Sequence, residues 1–584
     1  MKPYFKIFVM FVLAAFATSC LDMEPIEKLG ETNFWKNTSD YKLFANQYYS
    51  WLRSFNSVTS DGPHSDYRSD LISGNTRNTY SNGTNTVPTK DDNFTKAYSR
   101  IREINTLLEN AETYPHQKDI SQYVGESLFF RAYVYFDLLQ LYGNTLIVST
   151  PLDINSPELS MPRNNRSDVA DFIISDLNEA IKKLPDAKTL GGSARISREA
   201  AQAFLSRVAL YEGTWQEFRE NNETRAKELL VIARDAANSV ISTNSFKIFK
   251  PEALGTQAYK YMFTLENTKS NPAGLTKNDN KEYILVKQYD TDVSGATLSS
   301  DPAGSFLGKS SFCTRKFANM FLGSDGLPID TQDEQRYAET ASEYENRDNR
   351  MENIMIIPGR PYWTLSKGRQ SWAEDETDLA IAFTKSFNPN MNSGYFTQKW
   401  NAERQIAGYP GFDFPVIRYA EVLLNFTEAV YELAAIGGNA ASYDVDNALN
   451  IGLNQTRQRV NPEMPALTVN FAKTHNLDLR AEIRRERTIE LFHEGFRIDD
   501  LKRWNKAAEE MPMNLLGVKY DGTEFETTWT GQTRSTDLDG CIIMESGRVW
   551  EEKHYLLPLP IDQLQLHPQL EQNPGWASIT SNVN

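Results

Sequence analysis

The sequence predicts a mainly α-helical protein of stacked helix pairs, with long irregular loops and few short strands. Three observations predict it. Apolar residues recur at spacings of three and four through much of the first 242 residues and again after 414. Between these blocks lie stretches rich in Gly, Asn, Thr, Ser and Asp that are too long for ordinary connections. The run "EYILVKQY" (282–289) stands out as a strand, with β-branched and aromatic residues in a short segment.

The chain opens with Lys2 and Lys6 and an apolar stretch from Ile7 to Ala17. That stretch is too short to span a bilayer, which takes about 20 residues, and it fits the core of a secretory signal. Small residues then precede Cys20, and Asp22 and Glu24 follow it. "AAFATSC" is similar to a bacterial lipobox, with Phe16 where Leu is usual. The likeness implies that residues 1–19 are a signal, that cleavage falls before Cys20, and that the cysteine is acylated on its thiol and its new amino group. The plainer alternative is an ordinary signal with an incidental cysteine.

Helical spacing begins with "YKLFANQYYSWL" (41–52) and continues in "KAYSRIREINTLLENA" (96–111) and "ADFIISDLNEAIKKL" (170–184), which Pro185 follows. "GESLFFRAYVYFDLLQLYGN" (125–144) is apolar nearly all round, broken by Arg131, Asp137 and Gln140, so it must be covered on several sides. Gly143 is placed to end it. Ser197 is placed to cap "SREAAQAFLSRVALYEG" (197–213), with Gly213 as its end, and "TRAKELLVIARDAANSVI" (224–241) follows. Such helix–loop–helix units with small residues at the crossings resemble tetratricopeptide pairs. Residues 60–93, 266–311 and 323–400 are the irregular excursions, where binding sites tend to lie. Helices return at 414–435, 446–460 and 479–497.

Composition excludes several classes of function. A net charge of −16 and a pI near 5.1 argue against a nucleic-acid partner. Beyond Cys20 only Cys313 and Cys541 remain, so no disulfide framework holds the fold, and sequence leaves open whether these two pair. No catalytic residues are identified. "GSFLGKS" (304–310) is one residue short of a phosphate loop, and HExxH, zinc-type Cys/His spacing and G-x-S-x-G are absent from the sequence. No cofactor is expected, with one loop as the exception to be tested. "DTDVSGATLSSD" puts Asp290, Asp292, Ser294 and Asp301 at positions 1, 3, 5 and 12 of a calcium-loop pattern, with Gly295 at the turn. It equally fits a solvated acidic loop.

Four blocks, in order along the chain, carry a family resemblance: "GESLFFRAYVYFDLLQLYG", "RYAEVLLNFTEA" (418–429), "RRERTIELFHEGFRIDDLKRW" (484–504) and "YLLPLPIDQLQLHPQLEQNPGW" (555–576). Together they resemble the SusD/RagB family of outer-membrane nutrient-binding lipoproteins. The resemblance implies one α-helical unit over residues 20–584, with a helical-repeat part at 20–242 and a second part, carrying the loop excursions, at 243–584. It implies binding without catalysis: a glycan captured outside the cell and delivered to a SusC-like TonB-dependent transporter. The blocks themselves read as structural. Arg484, Arg485, Glu486, Arg487 and Glu490 are spaced to pair along one helix, and Trp504 and Trp576 to fill packing.

Sugar rings present apolar C–H faces to aromatics and hydroxyls to polar side chains. Two excursions offer both. Tyr67, Arg68, Asp70, Tyr80 and Asn82 form one group of candidate ligand contacts, and Tyr289, Phe306 and Phe312 the other. The plainer reading of each aromatic is local packing, and of Arg68, between Asp66 and Asp70, an exposed ion pair. Two rival functions remain: a surface glycoside hydrolase, which needs a carboxylate pair across a cleft, and a helical-repeat scaffold that grips a protein or peptide.

Overall fold

The computed structural model describes residues 34–578, apart from 292, 294–295, 299–301, 303–310, 364–371, 373–380, 383–392, 404–409, 437–442, 530–533 and 568. Among the described residues, the apolar spacing of the first half becomes six main helices, with shorter ones between and after them: α1 (Thr38–Asn46), α2 (Asp92–Thr113), α3 (Ser121–Tyr142), α4 (Arg166–Lys183), α5 (Arg198–Phe218) and α6 (Glu223–Ile241). From α2 onward each packs on its neighbour, and α6 is followed in the stack by α7 (Tyr419–Ile436) from the far half of the sequence. The main apolar core among the described residues draws on positions from Tyr41 to Leu570, with smaller clusters beside it.

Helix α3 is buried on all sides, as its composition requires, and its polar residues are matched. Arg131 grips Asp176 of α4 through two bonds of 2.7 Å and also reaches Asn105 of α2. Asp137 takes Arg53 at 3.0 Å. Ser197 caps α5 by accepting the Ala200 N–H. Gly213, however, does not end that helix, which continues to Phe218. A Cβ at Gly213 would sit 3.1 Å from Leu230 of α6, so the glycine serves a close helix crossing.

Strands are short and paired two by two, all antiparallel. β1 (Ile72–Gly74) pairs with β3 (Ser311–Cys313), and β2 (Tyr283–Lys287) with β6 (Phe414–Arg418). β4 (Pro361–Tyr362) pairs with β5 (Ile381–Ala382), and β7 (Leu515–Lys519) with β8 (Cys541–Glu545). The strand expected within 282–289 is β2. The helix expected from 414 begins only at Tyr419, because Phe414–Arg418 forms β6 on the edge of β2. The helix expected over 446–460 breaks at Gly452 into Val445–Ile451 and Leu453–Arg457. The one expected over 479–497 is α8 (Leu479–Glu490), then a turn with positive φ at His493 and Gly495, then α9 (Arg497–Arg503).

The charges of α8 do not pair mainly along the helix, as their spacing suggested. They reach across to other elements, because α8 is buried. Glu486 takes Arg350 at 2.5 Å. Glu490 accepts from Arg418 (2.8 Å), Arg459 (2.6 Å) and Arg350 (3.0 Å). Burial raises the Glu490 carboxyl, but the three guanidiniums outweigh it and hold it down at about 2. Trp504 and Trp576 are buried, and each indole N–H finds an acceptor. Cys313 and Cys541 are buried free thiols.

Candidate functional site

The excursion at 60–93 is held on the second half of the chain by buried polar contacts. His64 Nδ1 lies 2.6 Å from Asp499 Oδ2. Asp66 accepts the His493 N–H at 2.7 Å, and burial pushes its carboxyl up to about 7. Arg497 of α9 grips Asp70 through two 2.8 Å bonds, and Lys316 adds a third contact at 2.6 Å. Burial would raise the Asp70 carboxyl, but Arg497 and Lys316 outweigh it and hold it well below the usual carboxylate range. The conspicuous "ELFHEGFRIDDL" stretch is therefore the socket in which this excursion sits.

The two excursions singled out from sequence are joined here. The β1–β3 ladder sets Ile72 against Cys313, Ser73 against Phe312 and Gly74 against Ser311. Beside it the Tyr67 hydroxyl lies 2.5 Å from Ser311 Oγ. A third segment closes the other side. Val549 N–H donates to the Asn82 carbonyl at 3.1 Å, and Arg77 donates to the Ser546 carbonyl at 2.7 Å. Gly83, at φ +73°, leaves no room there for a side chain, since a Cβ would fall 2.1 Å from the Val549 oxygen.

Arg68 and Tyr80, both half-buried, stack on each other beside the ladder. The guanidinium carbon lies 3.5 Å from the centre of the Tyr80 ring. Arg68 Nε donates to Asp61 Oδ1 at 2.7 Å, and Asn78 Nδ2 donates to the same oxygen at 2.8 Å. Asn78 Oδ1 in turn receives the N–H groups of Tyr80 and Ser81, each at 3.0 Å, which fixes the turn that carries the ring. Arg68 is therefore not paired with the flanking Asp66 and Asp70, which are buried beneath it with other partners. The arrangement combines a flat ring stacked on a cation with a carboxylate and an amide at its edge.

The other candidates fall in three classes. Asp70, Asn82 and Phe312 are 1%, 2% and 3% exposed. Asp70 is ion-paired, Asn82 Oδ1 receives the Thr84 N–H and hydroxyl, and Phe312 packs on Phe396. They shape the site from below and offer a ligand no surface. Tyr289 packs on Phe55, with ring centres 5.7 Å apart. Phe306 lies outside the described residues, as do "GSFLGKS" and most of the residues assigned to the calcium-loop pattern. Among the described residues no group of His, Cys, Asp and Glu is arranged to hold a metal. Sequence reasoning missed Asp61 and Asn78. The Asn78-Thr79-Tyr80 spacing of an Asx turn was the signal for the second.

The chain is similar to known proteins over nearly its whole length. Residues 258–576 match the model of the SusD family, and residues 24–210 a model described as "Starch-binding associating with outer membrane". SusD-like protein P38 of Formosa agariphila is 25% identical over 525 residues, covering 85% of this chain and 90% of that protein. Two crystal structures from Bacteroides fragilis share the fold. A SusD-like carbohydrate binding protein aligns with a TM-score of 0.70 at 20% identity, over 92% of this chain and 100% of its own. A SusD-like protein aligns at 0.69 with 22% identity, over 95% and 100%. The family model alone spans more than half of the sequence, in the region that forms the socket for the excursion, and the chain belongs to the SusD family.

Proposed function

We propose that this protein captures a glycan at the cell surface and delivers it to a SusC-like TonB-dependent transporter, held in the outer membrane by lipid on Cys20. The observation that carries the reading is the joining of two sugar-suited excursions at the β1–β3 ladder, with the Arg68–Tyr80 stack beside it. Tyr80, Arg68 and Asp61 form the contact edge and Tyr67 its inner wall. A flat ring suits the C–H face of a pyranose, and the guanidinium and carboxylate suit paired hydroxyls.

Capture fits a lipid-held protein. A shallow contact gives modest affinity, because stacking must offset the loss of ligand freedom. Tethering beside a pore raises the effective concentration of the captured chain without new contacts. The test is a binding screen against plant, host and microbial polysaccharides, together with mild-detergent extraction and pull-down. Affinity without turnover, with recovery of an outer-membrane β-barrel, is the expected result. Product formation makes the protein a hydrolase. Recovery of the chain alone, with no glycan bound, returns it to the scaffold reading.

A further inference from the structure

We infer that the cleft of about 620 Å³ between β2, the 277–281 turn and the Gly191–Ala194 loop is a second saccharide subsite, one that takes sugars bearing a carboxylate or a sulfate. It rests on the saccharide-capture reading but stands apart from the Arg68–Tyr80 stack. Its size lies within the range of small-ligand pockets, about 300–1,000 Å³.

The chemistry of its wall is one-sided. The chain as a whole carries a net charge of −16, yet this cleft is lined by Lys188, Lys277 and Lys281 against a single acid, Asp413. Lys277 and Asp413 neutralise each other at 2.7 Å, and the same Asp413 oxygen takes the Tyr289 N–H at 2.9 Å. That leaves Lys188 and Lys281, both exposed on the rim, with no ion-pair partner among the described residues. The nearby carboxylates of Asp186 and Asp279 are turned to cap their own turns, on Thr189 and Thr276.

Behind the rim stands Asn280, 9% exposed. Its Oδ1 accepts the Glu282 N–H at 2.9 Å, while its amide nitrogen has no hydrogen-bond partner. Asn280 thus adds an unengaged donor behind the two rim lysines, which favours a ligand rich in acceptors and negative charge. The floor is apolar, with Phe246, Ile284 and Phe412 among its residues, and suits the C–H face of a sugar ring. At the mouth, Gly191 and Gly192 present no side chain, and a Cβ at either would meet nothing within 4 Å, so the lip is low and open.

The test is calorimetry on the chain from Cys20 onward with three probes: tetragalacturonate, a sulfated carrageenan tetrasaccharide and neutral β-1,4-galactotetraose. At least one acidic probe should bind, and more weakly in 300 mM than in 50 mM NaCl. Its affinity should fall at least tenfold in Lys188→Glu/Lys281→Glu, recover in Lys188→Arg/Lys281→Arg, and stay unchanged in Tyr80→Ala. Which acidic probe responds tells carboxylate from sulfate. Both lysines are exposed, so an unchanged melting curve is expected and checks the fold. The inference is overturned if neither acidic probe binds, or if the charge-reversed variant binds both as the parent does. It is equally overturned if acidic binding is lost in Tyr80→Ala instead. Loss of neutral-glycan binding in Tyr80→Ala bears on the first site alone.

Discussion

The Arg68 guanidinium carbon sits 3.5 Å from the centre of the Tyr80 ring, and Asp61 holds it there through a 2.7 Å bond to Nε. Cation and ring therefore act as one unit. Tyr80→Ala should weaken glycan binding about tenfold by removing the stacking face, and Arg68→Ala by about a similar factor, because the ring loses the cation that holds it in place. Arg68→Lys keeps the charge but loses the planar stack, and should recover only part of the affinity. Calorimetry beside melting curves checks this. Parent-like affinity in all three variants would remove the ligand from this face.

Asp70 is a structural residue under that face, and its loss should read as stability. Asp70→Ala leaves Arg497 buried without its carboxylate, a defect that typically costs about 3–5 kcal/mol. Urea unfolding should show the drop, and hydrogen exchange should show faster exchange at residues 65–74 than in the helices. A variant as stable as the parent would mean that the Arg497 contact carries no net weight.

Glu490→Gln should be among the most destabilising single changes. Three arginines converge on this carboxylate, and a neutral amide leaves them facing one another in a buried site. A loss of about 3 kcal/mol or more is expected, measured as a lower urea midpoint with unchanged slope. A loss below about 1 kcal/mol would show that neighbouring Glu282, Glu486 and Glu494 suffice, given that ordinary point changes centre near that value.

Asp66 should give stability a dependence on pH. Its folded value of about 7 lies above the ordinary carboxylate range, so the folded state holds the proton more tightly. That contribution is full below about pH 4, the unfolded range for Asp, and is lost as pH rises through 7. Asp66→Asn is permanently neutral and keeps an acceptor for the His493 N–H. It should flatten this fall and be more stable than the parent at pH 8. Urea midpoints at pH 5, 6, 7 and 8 decide it. Parallel profiles for the two proteins would assign the proton elsewhere.

Cys20→Ala should release the protein from the outer-membrane fraction or leave it unprocessed, in cells lacking the proposed transporter. Parent-level fractionation there would mean that lipid on Cys20 is not the anchor.

Sequence made the helical scaffold legible because its signals are local. The near-continuous apolar surface of 125–144 demands cover on every side, and Ser197 and Gly143 cap by chemistry confined to a few residues. Phe414–Arg418 was misread because a buried strand running into a buried helix has no change of period to mark the join. Gly213 was misread because a glycine needed for close packing looks the same as one that ends a helix. In the site, Arg68 and Tyr80 were legible as a suitable pair of residue types. Asp70, Asn82 and Phe312 are likewise polar or aromatic residues in loop-rich surroundings. What buries Asp70 and Phe312 comes from distant parts of the chain, which neither composition nor spacing records.

The bond from Arg497 to Asp70 spans 427 positions, and that from Arg53 to Gly495 spans 442. A growing polypeptide that has emerged only as far as α8 already holds the residues for most of its helical stack, whose contacts are largely between successive helices. Its 60–83 loop, though, has Asp66 without the His493 N–H and Asp70 with Lys316 but without Arg497. Contacts of such separation come late and slowly. The proposed ligand face is thus among the last parts of the molecule to take shape, and a chain cut short before residue 497 would carry every aromatic of that loop without the Arg497 and Val549 contacts that complete its seat.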